Sequence, residues 1–314
     1  MHTEIEATYK TDFGAMYCDD SLEFMKRTAD NSVDLVVTSP PYALHFKKEY
    51  GNASQKDYIA WILPFAKEIK RIIKPTGSFV LNLGGAWQQG SPTRSLYHYR
   101  TLLALVDEIG FELAQEFFWF NPAKMPAPAE WVNVRRIRVK DSVEYIFWLV
   151  KDPMANADNR RVLQPYSDDM KRLIKRGVKQ TVRPSGHVIN ETFASDQGGS
   201  IPSNLIQSGN NESNSEYMRN SKRHGNRVHP ARFPAALPKF FIEFLTKPGD
   251  LILDPFAGSN TTGYVAEGLK RKWIGIEIRS DYAKESKLRF ECPPEDKISS
   301  LAQTNLPLDL ERSH

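Results

Sequence analysis

The chain has 314 residues, 40% of them hydrophobic and 25% charged, with a net charge of +4. This is the balance of a soluble globular protein with room for one large α/β domain or two smaller ones, and no stretch approaches the roughly 18 apolar residues of a membrane span. Only Cys18 and Cys292 are present, far apart, so neither a metal cluster nor a disulfide framework is indicated, and "MHTEIEATYKTD" has no apolar signal core; a cytoplasmic protein without metal is expected.

In chain order, "GAMYC" (14–18) reads as a short strand, followed by Asp20 or Ser21 as cap of a helix in "LEFMKRTA". "VDLVVT" (33–38) is the next strand. "KDYIAWILPFAKEIKRII" carries apolar residues at helical spacing, and Lys74-Pro75-Thr76-Gly77 should end that helix. "SFVLNLG" is a strand, "RTLLALVDEIG" a helix closed by Gly110, and "FELAQEFFWF" a strand. "DSVEYIFWLVK" completes this half, expected as an antiparallel partner at the sheet edge. The repeated β-α-β order predicts a doubly wound, mostly parallel α/β sheet.

Residues 151–228 lose this periodicity, apart from a helix predicted in "SDDMKRLIKRG". Gly, Ser, Asn and Pro become dense, as expected of loops on a small support or of a solvated insertion. Residues 151–232 carry 14 Lys/Arg against 8 Asp/Glu, so the chain's positive excess lies in this segment and suggests an anionic partner. From Pro238 the α/β pattern resumes: helix "PKFFIEFLT", strand "LILDPF", helix "TTGYVAEGLK", strand "KWIGIEI" and helix "DYAKESKLRF". A polar tail follows Cys292.

Two loops carry chemistry. In "LILDPFAGSNTTG" a strand from which Asp254 leads meets a tight turn and a helix start. Gly258 lets a ligand approach the backbone, Asn260 tolerates a left-handed conformation, and Ser259, Thr261 and Thr262 are helix-capping types. Glu277, nineteen residues after Gly258, ends the next strand, where an acid binds ribose hydroxyls in nucleotide folds. Neither a Walker A lysine nor G-x-G-x-x-G is present, so an adenosine-containing ligand of open identity, or a structural turn, is indicated. In "VVTSPPYAL" the strand ends on Ser39-Pro40-Pro41-Tyr42. The prolines fix φ and donate nothing, leaving rigid carbonyls beside a hydroxyl and a flat ring. Such acceptors could orient both protons of an exocyclic amine on a stacked base; a plain proline turn is the alternative.

Together, Ser39-Pro40-Pro41-Tyr42 and Asp254-Pro255-Phe256-Ala257-Gly258 resemble the S-adenosylmethionine-dependent amino-group DNA methyltransferases. The order, catalytic motif first, is that of the permuted β class. "TSPPYAL", "KKEYGN", "EWVN", "RPSGH", "GGSIP" and "HPARFPAALP" are similar to the PvuII-type cytosine-N4 methyltransferases. The resemblance implies a catalytic half in 1–150, a target-recognition region in 151–228 and a cofactor half in 229–314. It also implies that Asp254, Phe256, Gly258 and the following turn of Ser259, Asn260 and Thr261 lie around the methionine portion of the cofactor, with Glu277 on the ribose, Asp20 near the adenine amine and His229 in a motif packed beside the cofactor. A serine heading the catalytic motif matches the cytosine-N4 type; adenine-N6 methylation and a catalytically silent DNA-binding regulator are the alternatives. The family places an acid in some members where this chain has Asn82, which implies proton loss to water here, and Asn260 replaces a glycine common in the cofactor loop.

A cytosine N4 paired in duplex DNA must be extruded before it can react. Tyr42 and Phe117-Phe118-Trp119-Phe120 are candidates to hold it, with a core strand as the plain reading of the second group. "RRIRVK" (135–140) reads as a solvated hairpin face or a phosphate clamp. Arg183, His187, Ser203, Asn204 and Arg223 are types that bond base edges or phosphates. The implied partner is double-stranded DNA, in the bacterial nucleoid, within a restriction–modification pair. CAGCTG is the target the resemblance suggests, while monomer and homodimer stay open.

Overall fold

A computed structural model describes residues 6–43, 53–177, 181–182, 188–189, 195–209 and 234–291. The chain forms two compact units, Met1–Asn156 with Asn204–His314, and Ala157–Ser203. The larger holds β1 (Tyr9–Lys10), β2 (Gly14–Cys18), α1 (Ser21–Arg27), β3 (Val33–Thr38), α2 (Tyr58–Ile72), β4 (Ile73–Leu83), α3 (Tyr97–Asp107), β5 (Glu112–Phe120) and β6 (Val143–Val150). The smaller contains α4 (Asp168–Arg176), β7 (Thr181–Val182) and β8 (Val188–Ile189). The larger unit then resumes with β9 (Leu205–Gln207), α5 (Ala236–Leu245), β10 (Leu251–Asp254), α6 (Thr261–Gly268), β11 (Lys272–Glu277), α7 (Ser280–Glu285) and α8 (Leu288–Glu291).

Among the described residues one sheet of nine strands runs in the order β1-β2-β11-β10-β3-β4-β6-β5-β9. Its pairs are parallel except β1 with β2 and β6 with both neighbours. Side chains alternate between two cores. Phe79, Leu81 and Leu83 of β4 pack with Phe24 of α1, Ile62 and Ile69 of α2 and Leu105 of α3. Val80 of the same strand joins Leu237 and Phe241 of α5 and Val265 of α6 on the other face. A sheet covered on both faces explains why β3 is almost wholly apolar rather than alternating.

Three expectations need correction. Strand β6 is antiparallel, but it lies inside the sheet between β4 and β5. The edge beyond β5 is β9, from the segment without strand periodicity, and it is tied on by Phe118 N–H donating to Asn204 O at 2.8 Å. Helix α2 stops at Ile72, and Lys74–Gly77 belong to β4, where the register with β3 slips. "RRIRVK" is an exposed loop with no strand. Within Phe117–Phe120, Phe117 and Trp119 are core residues and Phe118 and Phe120 are half-buried. In the smaller unit Ser167 caps α4, which buries no side chain and displays Lys171, Arg172, Lys175 and Arg176.

Candidate active site

Strands β2, β11, β10, β3 and β4 are mutually parallel, so their carboxyl ends share one side of the sheet. From β3 the chain continues to β4, and from β10 to β11, in opposite directions across the sheet. The β3/β10 junction is therefore a topological switch point, the place where open α/β sheets leave a crevice for ligands. Both motif loops begin there. A buried clasp joins them: Thr38 Oγ1 donates to Asp254 Oδ1 at 2.6 Å, Thr262 Oγ1 to Oδ2 at 2.7 Å, and Phe256 N–H to Oδ1 at 3.1 Å. Burial pushes the Asp254 carboxyl up to about 6, against the pull of these three donors. The Asp254 carboxylate is thus committed to holding the two strand ends together.

In the glycine loop, Gly258 has φ +52° and donates its N–H to Glu277 Oε2 at 2.9 Å. Arg279 N–H donates to Glu277 Oε1 at 2.9 Å. Glu277 is buried, and burial raises its pKa against those two backbone bonds. A carboxylate oxygen can accept more than one hydrogen bond, so both retain capacity for ribose hydroxyls. Register pairs Glu277 with Cys18, two residues before the exposed Asp20; Asp20 Oδ1 caps α1 by accepting from Leu22 N–H and Glu23 N–H. Next to Glu277, Ile278 is 64% exposed, an apolar side chain that a planar base would cover. Phe256 is half-buried against Trp61 and Phe65, with ring centroids 5.7 and 5.1 Å away. This set of acceptors and apolar surfaces fits an adenosine-containing ligand.

The other loop residues face inward. Asn260 lies at φ +55°, ψ +44°, the left-handed conformation expected of it. Its Oδ1 accepts from Gly263 N–H at 3.0 Å, and its Nδ2 donates to the Tyr9 hydroxyl at 3.0 Å. Ser259 is gripped by the Arg289 guanidinium through its carbonyl and hydroxyl, and Thr261 is buried at the start of α6. Their side chains shape the turn from within.

At the end of β3, Ser39 is half-buried and Pro40 buried. Ser39 Oγ lies 3.0 Å from the Tyr42 hydroxyl, which donates to Glu144 Oε2 at 2.8 Å. Asn82 Nδ2 donates to the Tyr42 hydroxyl at 2.9 Å and reaches Ser39 Oγ at 3.4 Å. Lys124 Nζ holds the other Glu144 oxygen at 3.2 Å. The Tyr42 ring lies so close to Gly84 that a Cβ there would sit 2.4 Å from Cε2. Desolvation first, and the Glu144 charge second, raise the Tyr42 pKa well above that of a free phenol.

A profile of the DNA methylase family matches residues 33–288. The chain belongs to the DNA methylase family. Among its relatives, the type II methyltransferase M.PvuII of Proteus hauseri is 52% identical over 285 residues, covering 90% of this methylase and 85% of that protein. The solved PvuII DNA methyltransferase (cytosine-N4-specific) superposes with a TM-score of 0.75 at 44% identity, covering 94% of this chain and 93% of that one. The M1.HpyAVI–SAM complex has a TM-score of 0.52 at 21% identity over 89% of this methylase and all of that chain, a likeness of fold alone.

The methylase therefore brings Ser39–Tyr42, Phe256, Gly258, Glu277 and Asp20 to one side of its sheet. Of the residues expected to touch DNA, Ser203 is exposed, whereas Asn204 Nδ2 donates to Glu116 O at 2.9 Å and splices β9 onto β5. Arg183, His187, Arg223 and His229 lie outside the described residues, as does the tail from Cys292 onward. No described helix is long and apolar enough to cross a membrane. Sequence reading missed Glu144 and Lys124. The available signal was an acid near the start of the apolar strand "VEYIFWLV", which the Leu83–Tyr145 pairing brings level with Gly84 and the Tyr42 ring.

Proposed function

We propose that this methylase transfers a methyl group from S-adenosylmethionine to the exocyclic N4 of a cytosine extruded from duplex DNA, as the modification partner of a restriction enzyme. The observation that carries the reading is the switch-point clasp, Thr38–Asp254–Thr262, which holds the serine-proline loop and the glycine loop as neighbours. Glu277 and Ile278 would hold the ribose and adenine, with Asp20 near the adenine amine and Phe256 and Gly258 toward the methionine portion. When bound, S-adenosylmethionine supplies an electrophilic methyl on a sulfonium. Ser39 Oγ and the rigid carbonyl at Pro40 would accept the two amine protons of the base and aim its lone pair; a cytosine amine is otherwise a weak nucleophile because that lone pair is delocalised into the ring.

The region 151–228 is proposed to read the target. Its support is the excess of Lys and Arg there and the cationic residues that α4 displays. Incubation of the protein with labelled S-adenosylmethionine and unmethylated plasmid, followed by nucleoside analysis, tests the reading. N4-methylcytosine is expected. N6-methyladenine would overturn the cytosine assignment, and the absence of transfer would favour a DNA-binding regulator.

A further inference from the structure

We infer that Glu144 is the terminal proton acceptor of the methyl transfer, reached from Ser39 through the Tyr42 hydroxyl. The inference rests on the amino-methylation reading and adds to it a positioning residue on β6. Directionality carries the argument. Tyr42 has one hydroxyl proton and gives it to Glu144 Oε2 at 2.8 Å. The 3.0 Å contact between Ser39 and Tyr42 must then be donated by Ser39. Asn82 Nδ2 faces three oxygens, those of Tyr42, Ser39 and Glu144, and donates toward each at 2.9, 3.4 and 3.5 Å. The two hydroxyl hydrogens therefore point from the serine, through the tyrosine, toward the carboxylate. Of the two lone pairs of Ser39 Oγ, the one that does not face Asn82 is left to accept from an amine, which is the polarity an amino-methylating site needs.

The proton balance closes on the same atoms. Formation of the N–C bond and cleavage of the S–C bond leave the exocyclic nitrogen cationic with one proton too many. That N–H bond breaks toward Ser39 Oγ, the Ser39 proton passes to the Tyr42 oxygen, and the Tyr42 proton passes to Glu144 Oε2. The products are a neutral methylated amine, the neutral thioether that keeps the S–C electron pair, and a protonated Glu144. Serine and tyrosine end as they began. Lys124 pairs with Oε1 and leaves Oε2 to the relay. Glu144 keeps 14% of its side chain exposed, enough for the proton to pass on to solvent before the next turnover. Asn82, a group that cannot take up a proton at neutral pH, serves as the donor that keeps the two hydroxyls and the carboxylate in line.

The test uses the full chain, labelled S-adenosylmethionine and unmethylated plasmid under single-turnover conditions. Glu144→Gln preserves an acceptor for Tyr42 but cannot take the proton. Its methyl-transfer rate constant should fall about 100-fold, the order of a lost proton-transfer group, with the KM values for both substrates within about twofold of wild type. Tyr42→Phe keeps the ring on Gly84 and the Glu144–Lys124 pair, and should lose as much; the double variant should be no slower than either. Adding Asn82→Asp to Glu144→Gln puts a carboxylate within reach of Ser39 and should recover at least about tenfold of the rate, which a merely structural role for Glu144 would not allow. A rate in Glu144→Gln above half that of wild type, or no recovery on adding Asn82→Asp, overturns the inference. If Glu144→Gln does not fold, Tyr42→Phe decides alone, and a wild-type rate in it overturns the relay. An inactive wild-type protein would instead sink the parent reading.

Discussion

Replacing Asp254 by Asn isolates the energetic cost of the switch-point clasp. Asp254 is fully enclosed and its carboxyl is pushed from its ordinary 3.8 to about 6 by burial. Its folded pKa is thus higher than its unfolded one, the inverse of a salt-bridged acid. Between about pH 4 and 6 the folded protein binds more protons at this group than the unfolded chain does, so stability must fall as pH rises through that window. A difference of about two pH units corresponds to about 3 kcal/mol, fully felt above about pH 6 and absent below about pH 4. The substituted amide cannot ionise, and the Thr38 and Thr262 hydroxyls can rotate to suit it. The stability of Asp254→Asn relative to wild type should therefore rise by about 3 kcal/mol from about pH 4 to about pH 7.5, read from urea denaturation at each pH. Burial also raises Glu277, but that group is present in both proteins and largely cancels in the difference. Parallel stability profiles, or a difference that shrinks with rising pH, would refute the reasoning. Natural retention of the acid then means that accepting from all three donors at the clasp is worth more to the site than to the fold.

Three further outcomes are expected. Ser39→Ala should bind S-adenosylmethionine as wild type does, by calorimetry, while transfer falls at least about 100-fold; weakened cofactor binding would place Ser39 in the cofactor pocket instead. Gly84→Ala puts a methyl 2.4 Å from Tyr42 Cε2, so the ring must leave its seat and carry the hydroxyl with it; a loss of about 1–3 kcal/mol of stability should accompany a collapse of activity, and a normal rate would show that the ring's seat is unimportant. Asn260→Ala should be less stable than Asn260→Gly by about 1–2 kcal/mol in urea denaturation, because the left-handed backbone at φ +55° penalises a Cβ. Equal stabilities would mean that the side-chain bonds, and not the backbone, decide that position.

Much of this was decided locally. The apolar run Val33–Thr38, its stop at Ser39-Pro40-Pro41-Tyr42, the glycine turn after Asp254 and the left-handed Asn260 all follow from φ restriction, strand propensity and turn chemistry within a few residues. The β-α-β order likewise dictated a doubly wound sheet, and it placed Glu277 at the end of its strand, beside the glycine turn. Tertiary structure decided the rest, because it depends on which strands become neighbours. Sequence adjacency suggested that β6 closes an edge; the sheet instead inserts it between β4 and β5, and only that placement brings Glu144 to Tyr42 and Asn82. The same holds for Asp254 and Thr38, 216 residues apart, whose hydrogen bond exists because β10 and β3 pair at the switch point. Composition can propose an acid or a hydroxyl, but a hydrogen bond has a length and a direction, and those are set by the register of strands distant in the chain.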